Sequence, residues 1–188
     1  MKASCNMLVL LDLNGVLCCK VPFDYGCVSK PGVSVSASKY KFILRPGVRE
    51  FFDQCRGVCK LAIYSSTKLH NIQVALNALL TAEQRNQLLF IADRSVTLLD
   101  PDYGTNANIS DYSTIKNLSC IWSHPIYNAK RCWNASNTLL VDNDEFKVRF
   151  NDPANVLVVD EWSCKEECKD FSIVSSTIFA KLNELKKK

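Results

Sequence analysis

Residues 7–17, Met7-Leu-Val-Leu-Leu-Asp12-Leu-Asn14-Gly15-Val-Leu17, decide how this chain folds. Five apolar residues run together without alternation, then an acid, then Asn-Gly. A strand with one solvated face alternates, so a continuous run predicts one buried on both faces, as in a parallel sheet. Asn-Gly marks the turn that ends it. In open parallel sheets, ligands bind outside the carboxyl ends of the strands, and that is where Asp12 falls.

Outward from this stretch, strands and helices alternate. Lys39–Leu44 reads as a strand, and Arg45-Pro46-Gly47 leads into a helix with apolar spacing at Val48, Phe51, Phe52 and Cys55. Leu61–Tyr64 reads as another buried strand, followed by helices over roughly Leu69–Leu80 and Glu83–Gln87. Leu88–Ala92, Asn137–Val141 and Asn155–Val159 read as further strands, and a helix closes the chain from about Ser175 to Lys187. This alternation predicts an α/β, Rossmann-like fold, a central mostly parallel sheet with helices on both faces. Two stretches read as irregular: Cys18–Lys39, a candidate flap over the strand ends, and Asp100–Ser113, a surface loop rich in turn formers.

The 188 residues, 47% hydrophobic and 22% charged, suit one globular domain over residues 1–188 with no room for a large cap domain. A net charge of +4 is too small to argue for nucleic acid. The apolar start is cut by Asp12 before it is long enough for a secretory signal, and no run approaches a membrane span. The expectation is therefore a protein of the cytoplasm or nucleus with reduced thiols. The sequons at Asn108, Asn117 and Asn134 would then stay unused. Of the ten cysteines, Cys55 and Cys59, and Cys164 and Cys168, stand at a spacing that zinc sites sometimes use, but His70 and His124 are isolated and no CxxC occurs. Packing thiols are expected instead. Cys18 and Cys19, just past Asp12, are the first candidates for oxidation.

Three predicted strands end in chemistry at one edge: Asp12-Leu-Asn14-Gly15, Ser65-Ser66-Thr67 and Asp142-Asn143-Asp144. Carboxylates, hydroxyls and an amide, joined by one lysine, suit a site that holds Mg²⁺ and a phosphate together.

In these residues the chain resembles the haloacid dehalogenase superfamily of phosphotransferases, and within it the small phosphatases of the RNA polymerase II C-terminal domain, also called NLI-interacting-factor-like. The first motif stands as LVLLDLNGVL, the branch's Arg-Pro-Gly-x-x-x-Phe as Arg45 to Phe51, and the second motif as Ile63-Tyr64-Ser65-Ser66-Thr67. The third stands as Lys116-Asn117-Leu118-Ser119, and the fourth as Val141-Asp142-Asn143, followed by Phe150-Asn151-Asp152-Pro153-Ala154-Asn155. Together they run from about Leu8 to Asp160.

The resemblance implies a phosphorylated protein as substrate, in a site left open by the lack of a cap. It makes Asp12 the nucleophile that takes the phosphoryl group. Ser65, with Ser66 and Thr67, would hold phosphoryl oxygens, and Lys116 would offset their charge. Asp12, the main-chain carbonyl of Asn14 and Asn143 would ligate Mg²⁺, with Asp142 beside it. Arg94 falls near a family arginine that faces the substrate, and Asp144 reads as a solvated turn residue. The departure is Asn14, which stands where the family has a second aspartate as general acid and base. An amide can neither give nor take that proton. Turnover should be slow and should favour aryl over alkyl phosphates, because a phenolate leaves without help. The alternative is a degenerate member that binds phosphoproteins without efficient turnover.

Overall fold

Strand β1, Leu8–Leu11, is buried at every residue, as its unbroken apolar run requires. The computed structural model describes residues 7–22, 34–37, 40–102, 113–164 and 170–187. In chain order β1 is followed by β2 (Cys18–Pro22), β3 (Ser34–Ala37), β4 (Tyr40–Leu44), α1 (Val48–Gln54), β5 (Lys60–Tyr64), α2 (Leu69–Leu79), α3 (Ala82–Arg85) and β6 (Leu88–Ala92). Then come β7 (Leu98–Leu99), β8 (Thr114–Ile115), α4 (Leu118–Trp122), β9 (Thr138–Asp142), α5 (Glu145–Val148), β10 (Val156–Val158) and α6 (Ser172–Leu185).

The central sheet has five strands in the order β10-β9-β1-β5-β6, with every pairing parallel. Alternate residues of β1 point to opposite faces. Val9 and Leu11 join Phe51, Phe52, Ile72, Leu76, Ile178 and Leu182 in the core made with α1, α2 and α6. Leu8 and Leu10 join Ala62, Tyr64, Leu140, Leu118 and Ile121 in the core under α4. Each such side chain contributes roughly 1.5–3 kcal/mol on burial, so β1 anchors both layers. The predicted α/β architecture with helices on both faces is the one observed.

Two expectations change. Residues 18–39 are not simply irregular: β2, β4 and β3 form a separate antiparallel sheet beside the parallel one, while residues 23–33 and 38–39 fall outside the described set. An antiparallel sheet does not need both faces covered along its length, and in β2 Cys18 and Val21 are buried while Lys20 and Pro22 are exposed. Five residues interrupted by Lys20 are too short a pattern to be read as a strand. The stretch read as a loop over 100–113 is flanked by β7 and β8, which pair antiparallel; residues 103–112, with Asn108, fall outside the described set. The closing helix starts earlier than expected, at Ser172, because the Asp170 carboxylate accepts the Ser172 N–H and hydroxyl there. Among the described residues no helix is long and apolar enough to cross a membrane.

Candidate active site

Because β1 lies between β9 and β5 in register, with Leu11 opposite both Val141 and Ile63, their carboxyl ends are level. Asp12, Ser65 and Asp142 therefore emerge side by side. The Asp12 N–H donates to the Val141 carbonyl at 2.9 Å, which fixes the turn against β9.

Lys116 reaches this edge from the end of β8. Its Nζ lies 2.7 Å from Asp12 Oδ1 and 2.5 Å from Asp142 Oδ2. All three are buried, with 1%, 6% and 0% of their surfaces exposed for Lys116, Asp12 and Asp142. An isolated ammonium would be costly here, and burial alone lowers the pKa of Lys116. The two carboxylates outweigh burial and hold that pKa above its ordinary value. Burial raises the pKa of Asp142; Lys116 opposes the rise and Asp12 adds to it. Lys116 engages Asp12 through Oδ1.

The fully ionised triad carries one net negative charge, which favours a bound cation. Asp142 is largely spent, since Oδ2 is held by Lys116 and Oδ1 accepts the Asp144 N–H at 2.9 Å. Asn143 is brought over the first loop: a methyl group on Gly15 would lie 2.7 Å from its Cγ and Nδ2 and 2.8 Å from Oδ1, and Gly15 has φ +85°. Only glycine suits both that space and that backbone conformation. Among the described residues no three His, Cys, Asp or Glu side chains converge as metal ligands. A metal ion here would meet the Asp12 carboxylate with main-chain and amide oxygens, hard donors that would suit Mg²⁺ better than a softer metal.

Asn14 is half-buried, and its Oδ1 accepts the Lys20 N–H at 2.8 Å, tying the first loop to β2. The Gly15 N–H donates to the Cys18 carbonyl at 2.7 Å and closes the same turn. Ser65 is buried and accepts a long hydrogen bond from the Thr67 N–H at 3.4 Å, while Ser66 accepts one from the Thr114 hydroxyl at 2.9 Å. The Arg94 N–H donates to the Thr67 carbonyl at 3.1 Å, so Arg94 starts beside this hydroxyl loop. Asp144 caps α5, accepting from Phe146 and Lys147 N–H and pairing with the Lys147 ammonium at 3.2 Å. It serves the turn, as its sequence suggested.

Cys18 is corrected as a candidate for oxidation. It is fully buried, and burial first, then the Asp12 charge, pushes its thiol well above the ordinary range. A thiol that stays protonated is a poor nucleophile toward oxidants. Cys55 and Cys59 are likewise buried in the core.

Asn151, in the stretch that follows the fourth motif, supports Lys116 from just past α5. Its Nδ2 donates to the Lys116 and Val148 carbonyls at 2.7 and 2.8 Å, and its Oδ1 accepts the Leu118 N–H at 2.7 Å. One amide thus grips the backbone just after Lys116, on both sides of Asn117, and ties it to α5. The Lys116 N–H also donates to the Lys147 carbonyl at 2.8 Å.

Several known proteins share this arrangement of the chain. It is 28% identical over 172 residues to an uncharacterized FCP1 homology domain-containing protein of Schizosaccharomyces pombe, covering 87% of this chain and 66% of the relative. The solved structure of Fcp1, an essential RNA polymerase II CTD phosphatase, superposes with a TM-score of 0.57 at 14% identity over 95% of this chain and 48% of that one. Fission yeast Fcp1 bound to beryllium fluoride gives 0.54 at 11% identity, over 96% and 52%. The chain thus spans about half the length of the solved proteins it matches, and at these identities the likeness is one of fold. Residues 7–187 also match the family model described as NLI interacting factor-like phosphatase, a span that holds every residue of the triad, and the chain belongs to that family.

Proposed function

We propose that this chain is a Mg²⁺-dependent protein phosphatase, slowed by Asn14, that forms an aspartyl phosphate on Asp12 and favours aryl phosphates such as phosphotyrosine. The observation that carries the reading is the buried Lys116 ammonium held between Asp12 and Asp142. A purely packed core gains nothing from such a triad, whose desolvation is costly unless function requires it.

Asp12 Oδ2 attacks phosphorus, the ester oxygen leaves, and water then cleaves the acyl phosphate. Lys116 orients Asp12 and offsets charge on the phosphoryl oxygens. Ser65, with Ser66 and Thr67, donates hydrogen bonds to those oxygens, and Arg94 approaches from beside Thr67. When bound, Mg²⁺ would be held by Asp12, the Asn14 carbonyl and Asn143, with Asp142 behind them, and would neutralise phosphate charge. Asn14 has no proton to give an alkoxide, so the reaction favours leaving groups that need none. The substrate on this reading is a phosphorylated protein of the cytoplasm or nucleus, met at this edge of the sheet.

Hydrolysis of para-nitrophenyl phosphate, with and without Mg²⁺, tests the reading on the unaltered chain and on Asp12→Asn. The variant should lose at least about a hundredfold in kcat. Activity that survives Asp12→Asn overturns the mechanism.

A further inference from the structure

At the opposite end of β5 from Ser65 lies an open groove of about 600 Å³, lined among others by Lys60, Leu89, Ile126, Lys130 and Trp133. Lys60 is the first residue of β5, so the groove and the catalytic edge are separated by the strand's length. Its volume is in the range of sites that take a bulky group. Ile126 is 76% exposed and Leu89 46%, which leaves two large apolar side chains uncovered next to each other's groove walls.

The wall is built rather than loose. The Asn128 Nδ2 donates to the Trp122 and Trp133 carbonyls at 2.8 and 2.9 Å, and its Oδ1 accepts the Trp133 N–H at 3.0 Å. Between those anchors Arg131 is held at φ 50°, the only non-glycine residue with positive φ among those described. Such strain persists where the surroundings fix it, and it gathers at binding sites. His124 Nδ1 accepts the Ile126 and Tyr127 N–H groups at 3.2 and 3.3 Å, which sets Ile126 in its exposed position.

Charge selects the occupant. No Asp or Glu lines the groove, and neither Lys60 nor Lys130 pairs with a carboxylate among the described residues. A second copy of this chain, with net charge +4, would bring like charge to the rim. A nucleic-acid strand stacks successive bases on several free aromatic faces, more than Trp133 can offer. Tyr127 has neither face free, being stacked on His124 at 3.9 Å and on Phe90 at 4.4 Å. We propose that the groove docks an acidic segment of a partner protein, with one leucine- or phenylalanine-sized side chain against Ile126, Leu89 and Trp133 and carboxylates on Lys60 and Lys130.

The test is fluorescence anisotropy of the full chain with fluorescein-labelled glutamate-rich peptides that carry one Phe or Leu at varied positions. At least one peptide should bind, and Ile126→Asp and Lys130→Glu should each weaken it about tenfold or more, as should Ser in place of its apolar residue. Bound peptide should also slow alkylation of the exposed Cys132, which lines the groove. Hydrolysis of para-nitrophenyl phosphate by both variants should match the unaltered chain, so the outcome stands apart from the fate of the catalytic proposal. Binding that ignores the apolar residue, ignores both substitutions or stays weaker than about 1 mM overturns the inference. So does competition by oligothymidylate, or self-association in sedimentation that Ile126→Asp abolishes.

Discussion

Lys116 Nζ and Asp12 Oδ1 stand 2.7 Å apart, residues far apart in the chain joined where β1 and β8 end. The contact places the lysine's ammonium directly on the side chain proposed as the nucleophile. Lys116→Met would leave Asp12 and Asp142 facing one another without a cation. Breaking a buried pair in this way costs about 3–5 kcal/mol, to be read as a lower urea midpoint at neutral pH. The pKa of Lys116 is raised on folding, so the stability it contributes is complete below its ordinary value of about 10.4 and is lost as pH climbs through the higher folded value. Tyr64, whose pKa burial raises, also weakens the fold in alkali. The difference between unaltered chain and Lys116→Met isolates the lysine: it should shrink as the pH rises past that window. A difference constant to pH 12 would contradict the charged triad.

Asn14 is the residue to change for gain. A carboxylate at this position can still accept the Lys20 N–H, so Asn14→Asp should fold as the unaltered chain does. With a proton to donate, kcat on phosphoserine peptides should rise about 10²-fold or more, and less on aryl phosphate. A ratio of aryl to alkyl rates that does not fall in Asn14→Asp removes the basis of the leaving-group argument.

Two glycines separate backbone strain from crowding. Gly57 has φ +76° with nothing within 4 Å of an added methyl, whereas Gly15 has φ +85° and would press on the Asn143 amide. Gly57→Ala should cost about 1–2 kcal/mol and keep full activity. Gly15→Ala should cost a similar amount and also displace Asn143, so the Mg²⁺ concentration for half-maximal activity should rise about tenfold or more. Equal Mg²⁺ dependence in the two variants would detach Asn143 from the metal.

Asn151 is a positioning residue, acting through the backbone of Lys116. Asn151→Ala should lower kcat about tenfold with KM little changed, because the ammonium is misplaced while the hydroxyl loop is intact. The alkaline limb of its pH–rate profile should move as well. A core variant such as Leu139→Ala should lose stability without either effect, and if Asn151→Ala behaves the same way the residue is merely structural.

Arg149 predicts the acid behaviour. Its guanidinium lies over Phe146 and Phe150, 3.7 and 4.4 Å from the ring centres, and donates to Asp100 at 2.8 Å and Asp102 at 2.9 Å. The hydrogen bond from Arg149 holds the Asp100 carboxyl below the usual carboxylate range against the opposing effect of desolvation. That stability is present above about pH 4 and is lost as pH falls through the lower folded value. Urea midpoints from pH 5 to pH 2 should therefore drop more steeply in the unaltered chain than in Arg149→Met. Parallel curves would mean that the pair contributes nothing.

The central sheet was legible because Leu8–Leu11, Leu61–Tyr64 and Thr138–Val141 are buried on both faces and so read as unbroken apolar runs. Their shared edge followed from parallel topology, and it brought Asp12, Ser65 and Asp142 together. The β2–β4–β3 sheet escaped because the exposed Lys20 and Pro22 break the apolar pattern of a short strand. Cys18 looked reactive by its nearness to Asp12 in sequence, whereas the fold buries it in the core, where its thiol faces the Leu13 carbonyl. The role of Asn151 was illegible for a different reason: it works through main-chain groups of Lys116 and Leu118, and backbone atoms leave no trace in residue identity.

The hydrogen bond from the Lys20 amide to Asn14 has a consequence in heredity as well as in chemistry. Asn and Asp codons differ at one base, and an oxygen acceptor for that amide survives the exchange in either direction. Selection acting on folding alone is blind to which of the two is present. On the proposed mechanism, a lineage can therefore cross between a faster and a slower catalyst in a single mutation that leaves this contact in place, and the demand for turnover decides where it rests.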